Sequence, residues 1–252
     1  MVFFTQSGFL GFLRLSHVIL AVMWMGLLWF FNFIQVPAYA EMDPAARNNA
    51  FDKLTWRALW WFRWAAMFTW VSGLIILAVG SVGDNKSYTG EFFKSPAGMM
   101  LSAAILFATI MAANVWMVIW PNQQVVIANA RNVQGGGEAD PEAPKAARRA
   151  AMASRQNTIF SFTVFLGMVG TSHFFTLFDP QPGAGTRVLF WLIVLAVAAV
   201  LELNALGKFG TEVGKPNTKI YDTHQNAIIA GATIAVVLWL FMEIFVGKAA
   251  GI

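Results

Sequence analysis

Val188-Leu-Phe-Trp-Leu-Ile-Val-Leu-Ala-Val-Ala-Ala-Val-Leu201 is a run of 14 residues with no charge and no hydroxyl. With its flanks, from about Thr186 to Leu206, it reaches the roughly 20 apolar residues that a helix needs to cross a hydrocarbon layer of about 30 Å. Five more stretches meet the same length. The expected spans are about 9–36, 57–82, 97–120, 157–178, 186–206 and 224–246. The fold class is therefore an all-α, polytopic membrane helix bundle in one domain. Turn chemistry separates the spans: Pro37, Asp43-Pro44, Gly83-Asp84-Asn85, Pro121, Asp179-Pro180-Gln181-Pro182-Gly183 and Gly214-Lys215-Pro216-Asn217. The longest connection, about 122–156, holds Gly135-Gly136-Gly137 and an Ala/Arg run from Ala146 to Arg155, read as a surface helix.

The composition of the 252 residues agrees. Hydrophobic residues make up 58% and charged residues 12%, against about 25% charged in a soluble domain. That density cannot cover a water-soluble globule. It excludes a cytosolic enzyme, a nucleic-acid-binding domain and a disordered chain. The net charge of +4 reads as membrane orientation, with no nucleic acid as partner. The cysteine count of zero excludes disulfides, thiolate metal sites and haem attached through Cys-x-x-Cys-His.

Lys and Arg divide unevenly between the two sides. The loops after spans one, three and five carry 11: Arg47, Lys53, Arg57, Arg131, Lys145, Arg148, Arg149, Arg155, Lys208, Lys215 and Lys219. The other side carries 4: Lys86, Lys94, Arg187 and Lys248. This bias places the cation-rich loops in the cytoplasm and both termini on the periplasmic side.

Ionisable groups at membrane depth are expensive and usually functional. Here they are Arg14, His17, Arg63, His173, Glu202, His224 and Glu243. At 1.5 Å per residue, His17 lies roughly 12 Å below the outer surface and His173 roughly 24 Å up from the inner one. The two imidazoles share a level, the minimum for axial ligation of haem b. Gly167 and Gly170 lie on the same face as His173 and would admit a porphyrin. Arg14, one turn from His17, would hold a propionate, and Trp24 would line the cofactor. Each signal has a plainer reading: a membrane histidine bonds a neighbouring helix, and small residues mark tight packing. His224 opens span six at the rim. Arg14 with Glu243, and Arg63 with Glu202, are expected as structural ion pairs. The tryptophans 56, 60, 61, 64, 116 and 120 read as an interfacial belt, with stacking on a ring-shaped ligand as the alternative.

Four blocks carry a resemblance. Span one reads Arg14-Leu-Ser-His17-Val-Ile-Leu-Ala-Val-Met-Trp24-Met-Gly26. Span two reads Leu59-Trp-Trp61-Phe-Arg63-Trp64-Ala-Ala-Met-Phe-Thr69-Trp70-Val-Ser72-Gly73. Span three ends Asn114-Val-Trp-Met-Val-Ile-Trp-Pro121-Asn122-Gln123. Span four opens Ser154-Arg155-Gln156-Asn157-Thr158 and leads to Ser172-His173-Phe174. From about Arg14 to Phe174 the chain resembles the N-terminal membrane domain of the bacterial membrane-bound urate oxidase (PuuD-type urate hydroxylase) family. The resemblance implies an inner-membrane oxidoreductase, with haem b on His17 and His173 and electrons passed to a cytochrome c. It also implies departures. No cytochrome c domain is expected in a cysteine-free chain that ends just after span six. Gln156 stands where the family is expected to carry His, and Ala65 where it tends to carry an acid. The alternative function is a non-catalytic subunit of a larger membrane respiratory or oxygenase complex.

Overall fold

The computed structural model describes residues 1–83, 86–178 and 181–247. Turn residues Asp84, Asn85, Asp179 and Pro180, and the segment from Lys248 to Ile252, lie outside the described residues. Among the described residues there is no strand. Six long helices make the bundle: α1 (Gln6–Glu41), α2 (Pro44–Gly80), α3 (Pro96–Gln134), α4 (Ala143–His173), α5 (Ala184–Ala205) and α6 (His224–Phe245). A short helix, Gly90–Lys94, precedes α3.

The helix starts follow from their caps. The Thr5 hydroxyl accepts from the Gly8 amide at 3.1 Å, Ser95 from Gly98 at 3.2 Å, and Thr223 from Asn226 at 3.2 Å. Each satisfies an N–H that the first turn leaves unpaired. Pro44 and Pro96 sit in the first turns of their helices, where a missing N–H costs nothing.

Two prolines expected to end spans do not. α1 continues through Pro37 to Glu41, and α3 continues through Pro121 to Gln134. A π-helical stretch precedes each: Phe30–Gln35 in α1 and Val115–Ile119 in α3. Proline inside an α-helix lacks a donor for the carbonyl four residues back and collides with it. A π turn pairs i with i+5 and moves that carbonyl out of register. Both prolines lie two residues after the stretch ends. A third π turn, Phe51–Thr55, lies in α2.

Five helices are long and apolar enough to cross a membrane: α1, α2, α3, α5 and α6. The expected fourth span is the exception. Its helix starts at Ala143, absorbing the predicted surface helix, and ends at His173, with a 3-10 turn Phe175–Leu177 following. α4 buries Arg155, Gln156, Asn157, Thr158, Ser161 and Thr163, which lowers its apolarity. It can do so because the other helices wall it. A Cβ on Gly167 would meet the Met100 carbonyl and the Ala104 methyl of α3 at 2.6 Å. A Cβ on Gly231 of α6 would meet the Ile159 carbonyl at 2.7 Å. Small residues bring both neighbours against α4 in the manner of membrane interfaces. Phe107 and Phe160 stack at 4.3 Å in the same α3–α4 seam.

Candidate functional site

The expected haem residues are placed as follows. His17 is half-buried, and its Nδ1 lies 3.0 Å from the Ser72 hydroxyl of α2. That hydroxyl donates to the Thr69 carbonyl at 2.9 Å, so it accepts from Nδ1–H and leaves Nε2 with its lone pair. Gly73 makes room for the ring: a Cβ there would meet His17 Cε1 at 3.2 Å. His173 is exposed at the end of α4, and its Nδ1 lies 2.9 Å from the Val169 carbonyl of its own helix. Both imidazoles keep Nε2 for a ligand, which suits axial coordination. The space does not. Gly167 is filled by α3, and a Cβ on Gly170 would meet the Phe175 ring at 2.7 Å. Trp24 is only 1% exposed and sits in the main core. The two histidines have different partners, and the glycines make no porphyrin cleft between them.

The expected ion pairs do not form among the described residues. The Arg14 guanidinium donates to the Tyr88 hydroxyl at 3.3 Å, and Glu243 accepts from the Trp239 indole at 2.9 Å. Arg63 lies over tryptophan rings. Glu202 accepts from the Asn114 amide at 3.0 Å, and the same amide reaches Asn157 at 3.1 Å. Neutral amides and aromatic faces replace the missing opposite charges, because each charge packs first against its nearest helix. His224 is half-buried at the start of α6, its ring 6.3 Å from that of Phe33.

The polar chemistry concentrates at the other end of the bundle, the cation-rich end. A cavity of about 320 Å³ opens there between α1, α2, α3 and the first half of α4. Its size lies at the lower end of ordinary small-molecule sites. All three π turns contribute to its wall: Phe31, Asn32 and Gln35 from the first, Phe51 and Thr55 from the second, Ile119 from the third. Single π turns inside α-helices recur at functional sites. Three on one cavity make it the strongest candidate site in the chain.

Three residues that line this cavity each carry a buried polar atom without a partner: Gln35 Oε1, Gln123 Oε1 and Arg155 Nε. A buried polar atom left unpaired is costly, and most are paired, so three on residues of one wall single that wall out. They supply two acceptors and one donor. Arg155 is held by its other end: its Nη1 donates to the Tyr221 and Asp222 carbonyls at 2.6 and 3.1 Å. Asp222 is in turn paired with Arg148 at 2.8 Å. Asn32 is fixed by donating to the Leu28 carbonyl and the Ser154 hydroxyl at 2.9 and 2.8 Å. Tyr39 and Thr55 share a hydrogen bond of 2.7 Å. Phe31 and Phe62 meet edge to face at 5.3 Å. Arg47 is the second cation, and among the described residues no carboxylate lines the cavity. Outside the membrane segments, burial pushes the Tyr221 phenol well above its ordinary value, and the nearby Glu202 carboxylate adds to the shift.

The fold and the site thus define a polytopic helix bundle with a small, cationic, aromatic-walled cavity at one end. Residues 86–207 match the family model described as urate oxidase N-terminal. The match takes in α3, α4 and α5, and with them Gln123, Ser154 and Arg155 of the cavity; His17, Asn32 and Gln35 precede it. No curated protein and no solved structure matches the chain.

Proposed function

We propose that the chain is a membrane-embedded oxidoreductase of the urate-oxidase type, with the cavity at the cation-rich end as its substrate site. The observation that carries this reading is the set of three unpaired buried atoms, Gln35 Oε1, Gln123 Oε1 and Arg155 Nε. Urate is a flat anion whose rim alternates N–H donors with carbonyl acceptors. The two glutamine oxygens would accept from its N–H groups, and Arg155 Nε–H would donate to a carbonyl or to the anionic ring. The match of residues 86–207 to a urate oxidase family model supports the same substrate.

The reaction would add water to urate. One oxygen is gained at carbon 5, and two electrons and two protons leave, giving 5-hydroxyisourate. Two one-electron acceptors are required per turnover, and a separate cytochrome is the acceptor of that class. With Gly167 and Gly170 filled, no step is routed through haem. The chain would lie in a bacterial inner membrane, and its cation-rich loops would place the cavity toward the cytoplasm.

The test uses purified protein reconstituted in lipid, with urate and an oxidised c-type cytochrome. Urate should be consumed with two cytochromes reduced per molecule. Gln35→Leu and Arg155→Lys should each lower kcat/KM by tenfold or more, on the order of one lost buried hydrogen bond. Failure of the wild type to bind urate would favour a non-catalytic subunit of a larger complex.

A further inference from the structure

Arg63 is a cation without a counter-ion. Its guanidinium carbon lies 3.8 Å from the ring centre of Trp120, 5.2 Å from Trp116 and 5.6 Å from Trp64. Among the described residues no carboxylate pairs with it and no hydrogen-bond acceptor meets it. Its Nε is buried and unpartnered, whereas the two terminal nitrogens are not enclosed. Along α3, Trp120 is nearer than Trp116 to the cation-rich end of the bundle. The closer approach to Trp120 shows that the side chain leans toward that end, as arginine does near a membrane boundary.

The stack continues toward the surface. Trp120 packs on Trp56 at 5.2 Å, and Arg131 covers Trp56 at 5.1 Å. Arg57 and Lys53 belong to the same strip of α2, where the Arg57 Nη1 donates to the Lys53 carbonyl at 2.6 Å. The acid on this strip, Asp52, is taken up by Lys53 and Arg131. What remains is an excess of positive charge around a free guanidinium fork. On the same helix Trp60, whose ring lies 6.3 Å from that of Trp64, and its neighbour Trp61 stand 42% and 55% exposed.

A guanidinium fork matches the two oxygens of a phosphodiester, and indole rings at the boundary suit the glycerol and upper acyl region. We propose that Arg63 binds the phosphodiester of an anionic phospholipid from the leaflet on the cation-rich side, with its acyl chains over Trp60 and Trp61. The site backs onto the cavity. Phe62 and Ile119 line the cavity, while their chain neighbours Arg63 and Trp120 form the lipid site on the outer side of the α2–α3 seam. The bound lipid would therefore steady the wall that holds two of the three π turns.

The experiment uses the full chain in nanodiscs of phosphatidylcholine alone or with phosphatidylglycerol. Thermal midpoints are read from tryptophan fluorescence, and retained lipid is counted by native mass spectrometry. Wild type should keep phosphatidylglycerol and melt higher in its presence. Arg63→Gln should lower retention by about tenfold or more, the loss expected for a charged hydrogen-bonded pair. Arg63→Lys, which keeps the charge and the stem, should fall between them and carries the test where the glutamine variant does not fold. Arg187→Gln, a cation elsewhere on the bundle, should retain lipid as wild type does. Inorganic phosphate in detergent should not reproduce the shift. Equal retention by Arg63→Gln, an equal midpoint in both lipids, or a full shift from phosphate alone overturns the proposal.

Discussion

Gln35→Leu should move stability and ligand binding in opposite directions. Gln35 is 7% exposed, and its Oε1 has no partner. An unpaired buried acceptor costs about 1–3 kcal/mol. Leucine is one atom shorter, similar in volume, and carries no such atom. The substitution should stabilise the ligand-free protein by about 1–2 kcal/mol, the smaller figure allowing for imperfect packing of the branched side chain. At about 2–4 °C per kcal/mol for a chain of this size, the midpoint should rise by a few degrees. With urate present the balance reverses. The ligand loses an acceptor and leaves an N–H buried without a partner, so affinity should fall by roughly tenfold to a hundredfold. The assay is thermal unfolding followed by the 11 native tryptophans, with and without urate. Wild type should melt lower than the variant alone and gain more from the ligand. A variant that melts below wild type without ligand would mean that Gln35 is a structural group. A variant with an undiminished urate shift would remove it from the site.

Gly167→Ala should destabilise the α3–α4 seam by about 1–3 kcal/mol, because the new methyl meets backbone at Met100 that cannot yield. Gly26→Ala, where nothing lies within 4 Å, should be neutral or gain up to about 1 kcal/mol from helix propensity. Comparing the two midpoints checks both. His173→Ala should leave the visible absorption and the midpoint of the purified protein unchanged, since among the described residues its ring bonds only local groups of its own helix end. A Soret band lost in both His17→Ala and His173→Ala would show instead that the two share a haem. Tyr221→Phe should cost about 1–2 kcal/mol, as the phenol's single proton is shared between the Leu201 carbonyl and Gln156 Oε1 in the interior. Because its folded pKa is raised, the folded protein keeps a proton that the unfolded chain releases above its ordinary value near 10. Wild-type stability should therefore decline as pH rises past about 10, and the phenylalanine variant should lose that part of the slope.

The bundle was legible because its signal is gross. A run such as Val188 to Leu201 has one stable place, and six such runs bound the architecture. The prolines misled because the rule that proline stops a helix takes an α register for granted; Pro37 and Pro121 follow π turns, and no composition marks a π turn. The cavity was half visible. Asn122-Gln123 and Arg155-Gln156-Asn157 stood in the blocks that carried the family resemblance, and Asn32 and Gln35 interrupt span one as two amides three residues apart. These amides carry no charge, so they fall outside the ionisable Arg, His and Glu side chains that mark costly positions at membrane depth. Depth matching set His17 level with His173, but depth says nothing of azimuth, and His17 turns toward Ser72 on α2. The same gap undid the expected ion pairs, whose members share levels yet meet other partners.

The π turns explain why the polar site sits where it does. A π turn adds one residue to a helical turn, so the side chains after it are rotated relative to those before it. In α1, Trp24, Leu28, Asn32 and Gln35 follow at spacings of four, four and three; the first two are buried in the core, and the last two line the cavity from within the wide turn. In α3, Met111, Val115, Ile119 and Gln123 stand four residues apart, and the wider turn at Val115–Ile119 holds that spacing on one face from the core to the cavity. Regular helices would keep one stripe facing one way along their full length. Deleting one residue from Phe30–Gln35 should restore a regular turn in α1, keep the facing of the residues after it, remove the wide turn that sets Asn32 and Gln35 in the cavity wall, and force Pro37 against an α-register carbonyl. That deletion should cost more than the roughly 3 kcal/mol of an ordinary helix-interior proline, and it should abolish urate protection even in a chain that still inserts and folds. Survival of the urate shift in that deletion variant would show that the cavity does not depend on the bulge.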